Sequence, residues 1–146
     1  MIHHLLNRSG NYMGNTTGEN PFIIIARVQV KEGMVEKYLD IADEVDRAAE
    51  VNTPGLLVHN FDSDPDDPLA FTWTEVFQNS NAFLMHASNP YAAEYLGKHA
   101  PLADDLSVEI YGNVSKEIED ILDSMGHPTK HFKTTRVGYV RTEHFT

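Results

Sequence analysis

The stretch "PFIIIARVQVKEGMVEKYLDIADEVDRAAE", residues 21–50, changes its hydrophobic period once, and that change indicates the fold class. Up to Val30 the residues are apolar and largely β-branched, which is typical of a strand. From Gly33 onward the apolar residues recur at steps of three and four opposite a charged face, which predicts an amphipathic helix of about five turns. The strand begins apolar on both faces, so we expect both of them to be covered.

The residues that follow extend this pattern to β-α-β-β-α-β. Residues 56–78, "LLVHNFDSDPDDPLAFTWTEVFQ", read as two strands around an acidic, proline-rich turn. Two short helices are predicted next, broken at Asn89-Pro90, with Asn79 or Ser80 as the first cap. The alternating stretch "LSVEIYGNV", residues 106–114, predicts a fourth strand. This order predicts an α+β fold of the ferredoxin-like type.

Three parts of the chain differ in composition. Residues 1–20 are rich in Asn, Gly, Ser and Thr and have no period, so we expect a flexible leader. Residues 21–114 form the predicted domain. Residues 115–146 add a helix that begins after Ser115 and ends at Gly126, then a strand-like segment, "HFKTTRVGYVRT". We predict that this extension joins a sheet edge and braces a partner subunit.

Charge and composition exclude several classes of function. The net charge of −11 argues against nucleic acid and anionic membrane surfaces, which require clustered Lys and Arg. No cysteine is present, so disulfides, thiolate catalysis and Cys-based metal sites are excluded. The longest apolar run, "FIIIA", is too short for a membrane span, and the first residues lack signal-peptide features. We therefore expect a cytoplasmic protein.

The stretch "FTWTEVFQNSNAFLMHASNPYAAEYL", residues 71–96, places several aromatic side chains around one histidine, His86. Histidine suits a general base because its ordinary pKa lies near 6.5. The alternative is a buried His86 hydrogen-bonded to a backbone carbonyl. Core packing is likewise the alternative to a substrate-binding role for the aromatic residues. The candidate aromatic wall comprises Trp73, Phe77, Phe83, Tyr91 and Tyr95.

Two further polar residues lie on the predicted strands. His59 alternates onto the face of Leu57 and Phe61, where it is either a second polar group of a pocket or a core residue with a partner. Glu75 is expected to have a structural role, either in a pair with a basic group, for which Arg27 on the neighbouring first strand is the candidate, or as a cap at a chain end. His127 and His131 are four residues apart, but Pro128 lies between them, so no metal site is predicted.

The order and spacing of four segments resemble the antibiotic biosynthesis monooxygenase (ABM) domain family. The segments are "FIIIARVQVKEGMVEKYLDI", "PGLLVHNFDSDPDDP", "FTWTEVFQNSNAFLMHASNPY" and "VEIYG", and the resemblance covers residues 21–113. It rests on an arginine in the first strand, a Pro-Gly entry to the second, an acidic turn, a Glu-Val-aromatic end to the third and a helix carrying Ala and His. The resemblance implies a homodimer in which two ferredoxin-like sheets pair into a dimeric α+β barrel.

The resemblance also implies an activity. Relatives include cofactor-free quinol and anthrone oxygenases, haem-degrading oxygenases and members with no known activity. A quinol monooxygenase-like oxidoreductase would use dioxygen on a small aromatic, quinol- or polyketide-like substrate, without a cofactor. His86 coincides with the frequent helix histidine of the family and would be the catalytic base. His59 departs from the family, which often has an aromatic residue there.

Two alternatives to this activity differ in their support. Haem degradation is not expected, because Ala26 and Phe77 stand where those relatives use Asn and Trp, and Tyr95 lies near the place of their haem-ligating His. A non-catalytic dimeric binding module that holds a small apolar ligand in the same pocket remains open, since a fold does not determine a function.

Overall fold

A computed structural model describes residues 20–144, so all of the predicted leader except Asn20 lies outside the described residues. Within this range no helix combines the length and the apolarity that a membrane crossing requires. The strands and helices follow in the order β1 (Phe22–Val30), α1 (Val35–Asn52), β2 (Leu56–Ser63), β3 (Ala70–Phe77), α2 (Ser80–Ser88), α3 (Pro90–His99), β4 (Ala103–Tyr111), α4 (Lys116–Ser124), β5 (Thr129–Phe132) and a short 3-10 helix (Thr142–His144).

The strands form one sheet in the order β2-β3-β1-β4-β5. β1 is antiparallel to both β3 and β4, and β2 is antiparallel to β3. This is the ferredoxin-like arrangement, so the predicted fold class is confirmed. The second helix of the motif is split into α2 and α3 at Asn89-Pro90, and the Asn79 side chain caps α2 by accepting from the Ala82 amide at 2.9 Å.

The core lies between one face of the sheet and the helices. Alternate residues of β1, from Phe22 to Val30, are buried there together with the fully buried Tyr38 of α1. The opposite face of the sheet has no covering element within residues 20–144, and Ile23 on that face is 40% exposed. Thus a single chain covers only one of the two faces that the sequence predicts to be covered.

The C-terminal extension packs against its own chain. α4 buries Ile118 and Leu122 and ends before Gly126, whose φ of 73° suits a glycine after a helix. Ser115 occupies the N-cap position, but its side chain makes no capping hydrogen bond.

β5 pairs in parallel with β4, begins before the predicted strand-like segment and overlaps it only at His131 and Phe132. Its last residue, Phe132, lies opposite Tyr111, the last residue of β4, so no partner strand remains for the residues beyond. Bracing of a partner subunit stays a prediction.

Candidate functional site

A cavity of about 250 Å³ lies between the inner face of the sheet and helices α2, α3 and α4. Most of its wall is apolar, and three polar side chains in the lining, His59, Glu75 and His86, lie close together. The apolar lining includes Ile24, Ala26, Val45, Phe83, Leu96, Leu106, Val108, Ile121, Leu122 and Met125.

Glu75 lies at the centre of the polar wall. Its position on β3 shares the inward face of Trp73, and only 9% of the residue is exposed. One carboxylate oxygen, Oε1, lies 3.4 Å from His59 Nε2 and 3.5 Å from His86 Nε2. Burial by itself would raise the pKa of Glu75, but the interaction of its carboxylate with the two nearby histidines lowers the pKa to about 2. Glu75 is therefore ionised at neutral pH.

His59 reaches Glu75 because the two residues are directly paired between β2 and β3. Its Nδ1 lies 2.9 Å from Asp46 Oδ1 of α1, and its ring stacks on Trp73 with centroids 4.3 Å apart. Burial lowers the pKa of His59, but the nearby carboxylates of Glu75 and Asp46 outweigh burial and raise the pKa. Two carboxylates therefore favour the imidazolium form of His59.

His86 approaches the same carboxylate from the last turn of α2, which follows β3 after a short connection. Its Nδ1 lies 2.5 Å from the Tyr91 hydroxyl, which in turn lies 2.7 Å from Thr53 Oγ1. Burial raises the pKa of Tyr91, so this phenol stays neutral and can orient the imidazole. Both ring nitrogens of His86 thus face side chains, unlike the backbone-bonded alternative.

The predicted aromatic wall divides into two groups. Trp73, Phe83 and Tyr95 line the cavity, and the Trp73 indole donates to the Tyr95 hydroxyl at 3.0 Å. Phe77 and Tyr91 lie behind the lining: Phe77 is fully buried with its ring centroid 5.6 Å from that of His86, and Tyr91 holds His86 from the rear. The indole N–H of Trp73 is therefore already hydrogen-bonded within the protein.

The expected pair between Arg27 and Glu75 is wrong. Arg27 lies on the uncovered face of the sheet and donates to Glu109 of β4 at 3.1 Å. Glu75 points to the opposite, inner face, where it contacts the two histidines. The two residues lie on strands that are neighbours in the sheet, β1 and β3, but their side chains lie on opposite faces of it.

The sequence interpretation missed two contributions to the site. Glu75 was given a structural role, although an acid that alternates with Phe71 and Trp73 on a buried face is a signal for a functional or paired carboxylate. The second contribution is from α4 and the residue after it, where Ile121, Leu122 and Met125 close the cavity. Their apolar row was visible, but its contact with the cavity depends on tertiary packing.

The residues of the polar wall also offer ligand atoms for a cation. His59, Glu75 and His86 each provide one such atom, and the three atoms lie within 4.8 Å of one another. In the part of the chain that the structure describes, they are the one group of three His, Cys, Asp or Glu side chains found so close together.

Comparison with known proteins identifies the family. Residues 21–98, more than half of the chain, match the family described as antibiotic biosynthesis monooxygenase. The chain belongs to this family. The match ends before β4, so α4 and β5 lie beyond it, whereas the residues of the polar wall lie within it. No curated protein matches the chain.

Several solved structures share the fold of this chain. A proposed antibiotic biosynthesis monooxygenase from Caulobacter crescentus is similar with a TM-score of 0.61 and 14% identity, over 75% of this chain and 95% of that one. A second, from Bacteroides thetaiotaomicron, has a TM-score of 0.57 and 20% identity, over 62% of this chain and 86% of that one. A protein from Shewanella oneidensis has a TM-score of 0.59 and 20% identity, over 64% and 90%. At these identities the likeness shows the fold alone.

Proposed function

We propose that the protein is a monooxygenase that oxidises a small, electron-rich aromatic substrate, quinol- or polyketide-like, with dioxygen and without a redox cofactor. The observation that carries the proposal is the asymmetric cavity: an apolar chamber with two imidazoles converging on one buried carboxylate. An aromatic ring fits the apolar part, and its hydroxyl group can face the imidazoles. Membership of the ABM family supports this class of reaction.

The reaction needs a base and a stabiliser for the substrate anion. His86 is the proposed base: its Nε2 takes the phenolic proton, while Tyr91 orients the ring from the other side. The resulting anion transfers an electron to dioxygen, and the two radicals recombine into a peroxide. The protonated His86 returns its proton to the peroxide, which then loses water together with the hydrogen of the oxidised carbon; one oxygen atom stays in the product and the other leaves in water.

His59 and Glu75 have separate proposed roles. The raised pKa of His59 favours an imidazolium beside the position of the substrate oxygen, where its positive charge stabilises the developing anion. Glu75 contacts both imidazoles through one oxygen and so positions them relative to each other. Glu75 is thus a positioning residue rather than a reacting group.

The dimer that we propose forms through the uncovered face of the sheet. Ile23 and Val58 are exposed on β1 and β2, and Ile23 is paired with the apolar Val76 of β3. These apolar residues lie at one end of the uncovered face, and a second copy of the same sheet packed against it would cover them.

The test is oxygen consumption with a panel of hydroquinones and anthrones, comparing the unmodified protein with His86→Ala at matched concentration and oligomeric state. Loss of a general base is expected to lower the rate by at least about 100-fold. His144→Ala is the matched control, because this histidine is exposed, and should leave the rate unchanged. Uptake by the unmodified protein no faster than background would refute the oxygenase proposal for these substrates and favour the binding module.

A further inference from the structure

The spacing of the polar wall differs from that of a simple hydrogen-bonded triad. Good N–H···O hydrogen bonds are about 2.7–3.2 Å long, whereas the two Nε2 atoms lie 3.4 and 3.5 Å from Glu75 Oε1. Two ligand atoms that each lie about 2.0–2.1 Å from a tetrahedral Zn²⁺ ion are about 3.4 Å apart. The spacing between each imidazole and the carboxylate therefore suits a shared metal ion.

Both imidazoles are held by their other nitrogen. His59 Nδ1–H can donate to Asp46 Oδ1 at 2.9 Å. His86 Nδ1–H can donate to the Tyr91 oxygen at 2.5 Å, and the Tyr91 hydroxyl can then donate to Thr53 Oγ1. In this tautomer the lone pairs of both Nε2 atoms are available. Metal-binding histidines are typically held in this way by a carboxylate, a hydroxyl or a carbonyl behind them.

The surroundings of the three ligand atoms favour one class of ion. The side chains of His59, Glu75 and His86 are 10%, 11% and 13% exposed, so few waters would need to be displaced. Two imidazoles and one carboxylate suit a borderline transition metal, whereas Ca²⁺ and Mg²⁺ prefer sets made only of oxygen ligands. Because all three residues line the cavity, a fourth coordination position would open into it.

We propose that His59 Nε2, His86 Nε2 and Glu75 Oε1 form a three-ligand site for one divalent ion of the Zn²⁺ class, with an open fourth position toward the cavity. This goes beyond the proposed function, because ion binding requires no turnover. A bound ion would occupy the Nε2 lone pairs of both imidazoles. The metal-bound protein could then not use His86 Nε2 as a base, whereas the metal-free protein could.

The proposal is tested by titrating Zn²⁺ into the chelator-treated, full-length protein and measuring binding by calorimetry, with Co²⁺ absorption as a report on coordination. We expect one ion per chain and the visible spectrum of a four- or five-coordinate Co²⁺ site. Glu75→Gln and His86→Ala should abolish this binding. Asp46→Asn, which removes the anion behind His59 without removing a ligand, should weaken it about 10–100-fold.

His144→Ala is the control and should bind like the unmodified protein, since His144 lies outside the cavity. Circular dichroism and thermal melting establish that each variant is folded; if a cavity variant fails to fold, Asp46→Asn at the partly exposed rim decides the question. Absence of saturable binding, or equal binding by all variants, would overturn the proposal. Failure of the oxygenase proposal is recognised separately, by absent oxygen uptake in the metal-free protein.

Discussion

The two ends of the cavity differ in chemistry and in their position along the chain. The polar end is built by β2, β3 and α2, which lie within residues 21–98 that match the ABM family. The apolar end is closed by Ile121, Leu122 and Met125, which lie beyond that match. The difference indicates that the polar side chains of the cavity belong to the family domain, whereas the added helix contributes part of its apolar wall.

We expect the largest effect on activity from Glu75→Gln at the polar end. This change keeps the shape of the side chain but removes the charge that positions both imidazoles. We expect kcat for oxygen uptake to fall by about 100-fold or more while KM changes little, because the apolar end still binds the ring. Steady-state oxygen-electrode kinetics measure both constants. A raised KM with an unchanged kcat would show that Glu75 serves binding instead.

The apolar end is tested by Leu122→Ala. Leu122 is 4% exposed and packs in the core as well as against the cavity, so truncation should lower the free energy of unfolding by about 2–5 kcal/mol. Denaturant unfolding of the variant measures this loss. Asp123→Ala on the exposed side of the same helix is the control, with an expected change within about 0.5 kcal/mol. Equal effects of the two changes would contradict the packing of α4 against the domain.

Met125→Trp tests whether the apolar end of the cavity determines substrate size, because it narrows that end and leaves the polar side chains unchanged. The larger side chain should lower kcat/KM for the bulkier members of the substrate panel by about 10-fold or more relative to the smallest member. The measurement is the ratio of kcat/KM values for a one-ring and a three-ring substrate. An unchanged ratio would mean that residues beyond α4 do not determine substrate size.

The smallest expected effect concerns the buried network behind the polar end. The Tyr38 hydroxyl contacts Tyr95 and is hydrogen-bonded to His99 Nδ1 at 2.7 Å. Burial and the charge of His127 lower the pKa of His99 in the folded state. Below pH 6.5 the unfolded chain therefore binds a proton more readily than the folded protein does. The free energy of unfolding then decreases as the pH is lowered, by at most about 1.4 kcal/mol per pH unit from this group.

His99→Gln should flatten that part of the stability curve, as measured by denaturant unfolding between pH 7 and 5. Comparison with His144→Ala separates the buried histidine from an exposed one. The same pH slope in His99→Gln and in the unmodified protein would show that His99 does not contribute to the pH dependence of stability.

The order of elements was predictable because it depends on local patterns. The change of period near Gly33, the turn before Leu69 and the break at Asn89-Pro90 each mark a boundary through short-range chemistry. The last strand was misplaced, because its position depends on pairing with the neighbouring β4 rather than on a local pattern.

The site was only partly predictable because it depends on register between strands. His86 and Trp73 were singled out, but the pairing of His59 with Glu75 follows from the alignment of β2 on β3. A register shift between Leu56 and Val58 also leaves Leu57 exposed instead of on the face of His59. Single-residue patterns do not contain such shifts, so the acid between the two histidines was assigned to the wrong partner.

The most direct test of the account is a crystal structure of the protein with a bound single-ring or two-ring phenol that the protein does not oxidise. We expect the phenolic oxygen to lie within about 3.2 Å of Nε2 of His86 or His59, with the ring directed toward Leu122 and Met125. A ring bound outside the cavity, or a hydroxyl directed toward α4, would contradict the assignment of a reactive polar end and a shaping apolar end.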